Sequence, residues 1–82
     1  MRLTKEQIEA EGWKHIGGKL LSVAQQEYCK EGIAGVRVQY SEKDRELIID
    51  NGEEYEQNNT FYYGECKDIN TFRWVCKLLK IE

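Results

Sequence analysis

The clearest alternation in the chain is Val36–Tyr40. Val36, Val38 and Tyr40 point one way and Arg37 and Gln39 the other, which predicts a strand with one buried face. Ser41–Arg45 reads as a polar turn, and Glu46–Asp50, centred on Leu47, Ile48 and Ile49, as the next strand. Asn51-Gly52 follows at once and suits the positive φ angles of a tight hairpin turn. A third strand over Glu53–Gln57 is acidic and poor in β-formers, so an exposed loop is the alternative. Thr60–Cys66 is rich in aromatic and β-branched residues and predicts a strand. Alternation there sends Phe61 and Tyr63 to one face and Tyr62 to the other. If the first pair fills the core, Tyr62 is left exposed or covered by a partner.

Helical spacing dominates the two ends. Thr4 with Gln7 makes a capping box, and Leu3 with Ile8 makes the hydrophobic staple that accompanies it. Glu6 lies in the first turn, where the helix dipole favours an anion. Gly12 supplies a stop, so a helix is predicted over Thr4–Glu11. It is too short to stand alone and must dock its apolar side elsewhere. Trp13 follows as a core anchor, with a short strand over Trp13–Ile16 that Gly17-Gly18 interrupts. At the other end, Ile69, Phe72, Cys76 and Leu79 recur at spacings of three and four, with Val75 beside them. Asp68 or Asn70 is placed to cap that helix, and Arg73, Lys77 and Lys80 line its opposite side.

Lys19–Glu31 supports two readings. Leu20, Leu21, Ala24 and Tyr28 share a helical face, and Gly32 would end that helix. Leu21, Val23 and Gln25 alternate as a strand would. We favour the helix. The resulting expectation is a single α+β domain over residues 1–82. It has a small antiparallel sheet of three to four strands packed with an N-terminal and a C-terminal helix, and an extra helix at 19–31.

Composition narrows this further. At 82 residues, a single core rarely contributes more than about 3–5 kcal/mol of net stability, so self-association is expected. The net charge of −3 weighs against nonspecific binding to nucleic acid or anionic membrane. An odd count of three cysteines, none at Cys-x-x-Cys spacing, reads as reduced thiols packed as small hydrophobes in a cytosolic protein. Charges interrupt the first dozen positions, so no signal peptide is read there. No apolar run approaches the ~18 residues of a membrane span. The opening Met1 and short polar start suggest a whole small gene product, an excised domain being the alternative.

The chemistry of the chain is sparse. One histidine, His15, and scattered thiols do not make a zinc site with ordinary ligand spacing. A dyad of His15 with one of the cysteines stays open, against the simpler reading of a structural histidine. Asp50–Glu56 is acidic but lacks the alternating ligand pattern of a calcium loop, and a solvated hairpin explains it better. Neither Gly17-Gly18 nor Gly32–Gly35 matches a nucleotide-binding fingerprint. No catalytic residue, metal ligand or cofactor site is nominated, and the expected activity is binding rather than catalysis.

The surface with a binding character is the outer side of the last helix: Arg73, Trp74, Lys77 and Lys80. The plain alternative for it is a solvated helix face with Trp74 packed on the sheet rim. Tyr62 is a second candidate contact. In an oligomer, Arg37 could join Arg73 and Lys77 at a subunit seam to hold a small molecule such as a nucleotide signal.

Leu3-Thr4-Lys5-Glu6-Gln7-Ile8-Glu9 followed by Gly12-Trp13 resembles the start of small uncharacterised phage and prophage proteins. Phe61-x-x-Gly64 and the run Ile69–Ile81, with Leu78-Leu79 and a closing Ile81, resemble their aromatic-x-x-Gly strand and terminal amphipathic helix. The resemblance is confined to the two ends and leaves Lys19–Ser41 aside. Its motifs are structural and transfer no site. It implies origin in a phage or mobile element and an accessory role: binding a host protein, with inhibition of host defence as the specific form, or binding a signalling molecule.

Overall fold

The protein is described from a computed structural model, over residues 2–19, 22–52 and 59–82. Its elements run α1 (Lys5–Ala10), β1 (Lys14–Lys19), β2 (Ser22–Lys30), β3 (Ile33–Ser41), β4 (Glu46–Asp50), β5 (Thr60–Glu65) and α2 (Ile69–Leu79). The five strands form one antiparallel sheet in chain order, β1-β2-β3-β4-β5. The α+β class and the two terminal helices match expectation. The count of five strands exceeds the three to four predicted.

The difference comes from the segment 19–31, whose described residues, 19 and 22–31, are not helical. Ser22–Lys30 is β2, paired on one side with β1 and on the other with β3. Two ladders satisfy its backbone, and tertiary pairing of that kind overrides a helical pattern of apolar spacing. Gly32, read as a helix stop, instead serves the turn between Lys30 and Ile33 at a φ of +88°. Left-handed backbone ends helices and turns hairpins alike, so the glycine did not separate the two readings. β1 also runs past the Gly17-Gly18 break. It absorbs the interruption as register shifts, one between His15 and Gly17 and one between Gly18 and Lys19. The possible strand at Glu53–Gln57 lies outside the described residues. Asn51-Gly52 begins a longer connection, because Asp50 pairs with Thr60 and Asn51 N–H bonds Asn59 C=O.

Both helices are built as their sequences dictate. Thr4 accepts from the Gln7 N–H at 3.2 Å, and the Gln7 side chain accepts from the Thr4 N–H at 3.1 Å, which completes the capping box. Asp68 caps α2 by accepting from the Thr71 N–H at 2.8 Å, and this bond holds its carboxyl below the usual range. α2 ends with Lys80 in the left-handed region. There Ile81 N–H bonds Cys76 C=O and Lys80 N–H bonds Lys77 C=O, which folds Ile81 back under the helix.

The helices cover one face of the sheet. Leu3, Ile8, Trp13, Phe72, Val75, Cys76 and Ile81 meet Tyr28, Val38, Tyr40, Leu47 and Ile49 in a common core. Trp13 and Phe72 meet edge to face at 6.4 Å, and the Lys30 ammonium lies 5.7 Å from the Trp13 ring. The Tyr40 hydroxyl lies 3.3 Å from Cys66 C=O and 3.4 Å from Leu3 C=O, so it ties the N-terminal segment to the end of β5.

Burial sets the chemistry of this core. It pushes Tyr28 and Tyr40 up to about 12, Cys66 up to about 11 and Cys76 up to about 12. All four are neutral in the fold, with values above their ordinary 9.0 for Cys and 10.0 for Tyr. Their contribution to stability is therefore complete below those ordinary values and is lost as pH rises through the folded ones. Urea midpoints measured against pH are expected to hold near neutrality and fall between about pH 9 and 12. Midpoints unchanged across that window would refute the neutral, buried assignment.

Candidate functional site

The register decides which side chains each face presents. Pairing of Arg37 with Asp50, Gln39 with Ile48 and Glu27 with Gln39 puts these residues on the sheet face opposite the helices. Arg37 is only 8 % exposed there and Asp50 only 2 %. The guanidinium meets the carboxylate in a two-point fork, Nε to Oδ1 at 3.0 Å and Nη2 to Oδ2 at 2.9 Å. Gln39 Nε2 donates to the same carboxylate at 3.0 Å, and so does the Gly52 N–H at 3.0 Å. Arg37 Nη1 also reaches Glu27 Oε1 at 3.4 Å. This network ties β2, β3, β4 and the turn after β4 into one unit. Its unsatisfied member is Gln39 Oε1, buried without a hydrogen-bond donor.

In the single chain Arg37 is thus held as a structural cation, the residue that the sequence suggested for a subunit seam. The reason is local. Residues of opposite charge facing each other across two adjacent strands neutralise one another before either can reach a ligand. Hairpin arithmetic would have found the pair: once Ser41 is set opposite Glu46, Arg37 falls opposite Asp50.

Tyr62 and its neighbours also exchange roles. β4 buries Leu47 and Ile49, and their partners on β5 are Gly64 and Tyr62. Tyr62 therefore packs against the core, and its ring covers Gly64, where a Cβ would lie 3.1 Å from the Tyr62 oxygen. Phe61 and Tyr63 are the exposed pair, at 47 % and 66 %. Tyr63 donates to Glu46 Oε2 at 3.1 Å, which raises its phenol above the ordinary range.

The remaining candidates share one surface. Arg73, Trp74 and Lys77 lie on the exposed side of α2, because Phe72, Val75 and Cys76 occupy its buried side, and Lys80 is the exposed residue that caps its C-terminal end. The rim-packing alternative for Trp74 fails: 60 % of its surface is exposed. Leu78, one turn further on, is exposed to the same 60 %. The sequence reading passed over Leu78 as part of the closing helix pattern. Its i, i+4 spacing from Trp74, outside the Ile69–Phe72–Cys76–Leu79 stripe, was the available signal. Arg73 bonds Glu11 Oε2 at 3.1 Å in an exposed pair that joins α2 to the end of α1, and this contact raises the guanidinium further.

Glu11, Trp13, Lys30, Phe72, Arg73, Cys76 and Glu82 also line a cleft of about 40 Å³. That volume suits a water molecule and falls far below the roughly 300 Å³ of an ordinary small-ligand pocket. The Cys76 thiol in its wall is protonated, as noted above, and so is a poor nucleophile. His15 Nε2 donates to Gln26 Oε1 at 2.6 Å, and its ring lies 5.4 Å from that of Tyr28. The histidine is engaged by an amide and a phenol ring, the structural role weighed against a Cys–His dyad. Among the described residues no group of three or more His, Cys, Asp and Glu side chains is placed to hold a metal ion. Among the described residues no helix is long and apolar enough to cross a membrane.

A scan of protein-family models, a search of curated proteins and a search of solved structures each return no match for the chain. The site is therefore read from its geometry. It is a convex helix face with an apolar ridge, Trp74 and Leu78, flanked by three cations. Such a face is suited to docking a macromolecule.

Proposed function

We propose that the chain is a non-enzymatic accessory protein of phage type that binds a host protein through the outward face of α2. The supporting observation is the exposure of Trp74 and Leu78 on adjacent turns, with Arg73, Lys77 and Lys80 around them. Tryptophan and arginine are the residues most often found at the energetic centre of protein interfaces. The cations favour a partner surface that is acidic around an apolar pocket. Action in the host cytosol fits the three free thiols, and inhibition of a host defence system is the specific form that the terminal motifs imply.

The test is a pull-down from host lysate with the wild type and with Trp74→Ala, followed by titration of any specific partner. Because Trp74 is exposed, the variant is expected to melt like the wild type. It should bind the partner about 30-fold more weakly, the effect of losing a hot spot worth about 2 kcal/mol. A partner held equally well by both chains, or no specific partner at all, would refute the reading.

A further inference from the structure

The two edges of the sheet are built differently. β1 is a guarded edge. It carries Lys14 and Lys19, two consecutive glycines and two register irregularities, features that discourage another strand from pairing. β5, Thr60–Glu65, has neither lysine nor proline, and its single irregularity lies at its start, where Asp50 faces Thr60.

The outer backbone of β5 is open. Cys66 N–H bonds Arg45 C=O at 2.8 Å, so the groups of Cys66 point toward β4, and alternation turns those of Gly64 and Tyr62 the same way. The N–H and C=O of Tyr63 and Glu65 then point outward. Lys67 agrees with this parity, because its outward C=O accepts from Leu3 N–H at 3.0 Å. The edge thus already holds an extended segment at Lys67 and continues unpaired at Glu65 and Tyr63 among the described residues. On the same stretch, the strong β-formers Phe61 and Tyr63 are exposed.

From this geometry we infer that β5 pairs antiparallel with β5 of a second copy about a two-fold axis at Tyr63, making one continuous ten-stranded sheet. The inference is independent of the α2 surface. The register follows from the residues. Tyr63 faces Tyr63 of the second copy in a hydrogen-bonded pair, Glu65 faces Phe61, and Gly64 faces Tyr62. No like charges then stand opposite one another, whereas an axis at Glu65 would oppose two carboxylates. An isologous contact of this kind closes at two copies and leaves β1 as the guarded edge at both ends of the long sheet. A single strand pair buries less than the ~1,200 Å² of a standard interface, so the dimer is weak and depends on concentration.

The experiment is sedimentation of the full chain from about 1 μM to 1 mM. The wild type is expected to double in mass across that range. Tyr63→Pro removes an N–H that points away from β4, so it spares the β4–β5 ladder and leaves the fold intact. It should keep the single-chain mass at every concentration, with the far-UV spectrum of the wild type. Trp74→Ala should dimerise like the wild type. Should Tyr63→Pro fail to fold, Tyr63→Lys provides the same readout through an edge charge. A wild type that stays at single-chain mass at the highest concentration, or a folded Tyr63 variant that still doubles, overturns the inference.

Discussion

Asp50→Ala is expected to destabilise the fold by about 3–5 kcal/mol, the cost of breaking a buried ion pair from one side. The carboxylate receives both arms of the Arg37 fork, the Gln39 amide and the Gly52 N–H, at 2.9–3.0 Å. Removing it takes the two-point partner from a buried guanidinium, leaving Glu27 Oε1 at 3.4 Å beside it, and takes the acceptor from the Gln39 amide, whose Oε1 already lacks a donor among the described residues. A single core of this size rarely supplies more than about 3–5 kcal/mol of net stability, so the variant should be at or past the edge of unfolding at room temperature. Its urea midpoint is the measurement. The companion variant Arg37→Met with Asp50→Leu removes both charges and should recover the part of the loss that comes from the unmatched charge, while the Gln39 amide and the Gly52 N–H stay without their acceptor. A loss under about 1 kcal/mol for Asp50→Ala would show that water reaches the pair, in conflict with the burial described above.

Trp13→Ala has a similar expected cost, about 3–5 kcal/mol, for a different reason. Trp13 is buried between the end of α1 and the start of β1, with Phe72 of α2 against it edge to face and Lys30 over its ring. No other side chain joins the N-terminal helix, the sheet and the C-terminal helix by such direct ring contacts among the described residues. Truncation leaves a cavity at the junction and frees the two-turn α1, which has little stability of its own. At about 4–8 °C per kcal/mol for a chain of this length, a fall in Tm of at least about 12 °C is expected by far-UV circular dichroism. Trp13→Phe should lose less than half of that. Equal melting of Trp13→Ala and wild type would remove Trp13 from its place at the junction.

These two residues mark what the sequence does and does not disclose. Trp13 was legible as an anchor because a lone aromatic after a capped helix has few alternatives. The capping box, the α2 stripe and the Val38/Tyr40 alternation were equally plain, since each is written in contiguous residues. β2 was not, because Leu20, Leu21, Ala24 and Tyr28 satisfy a helical period by coincidence and only its neighbours select the strand. The inward face of β5 stayed open for the same reason. Alternation separates Tyr62 from Phe61 and Tyr63, but which set is buried depends on the register with Leu47 and Ile49. Of the site, the α2 cations and Trp74 were recognisable from helical spacing alone. Leu78 was hidden in plain apolar sequence, and Arg37 changed role once its partner across the hairpin was known.

The strand order carries a consequence for how the molecule assembles. Every strand bonds its immediate neighbour in the chain, so the sheet closes through local connections, the one from β4 to β5 being the longest, with modest entropic penalties. Among the described residues, contacts that join the two ends of the polypeptide include Leu3 with Lys67, Tyr40 with Leu3, Arg73 with Glu11 and the Trp13–Phe72 junction. Joining the ends over a preformed meander is then the last and slowest ordering event. With no proline in the chain, no peptide-bond isomerisation stands in its way.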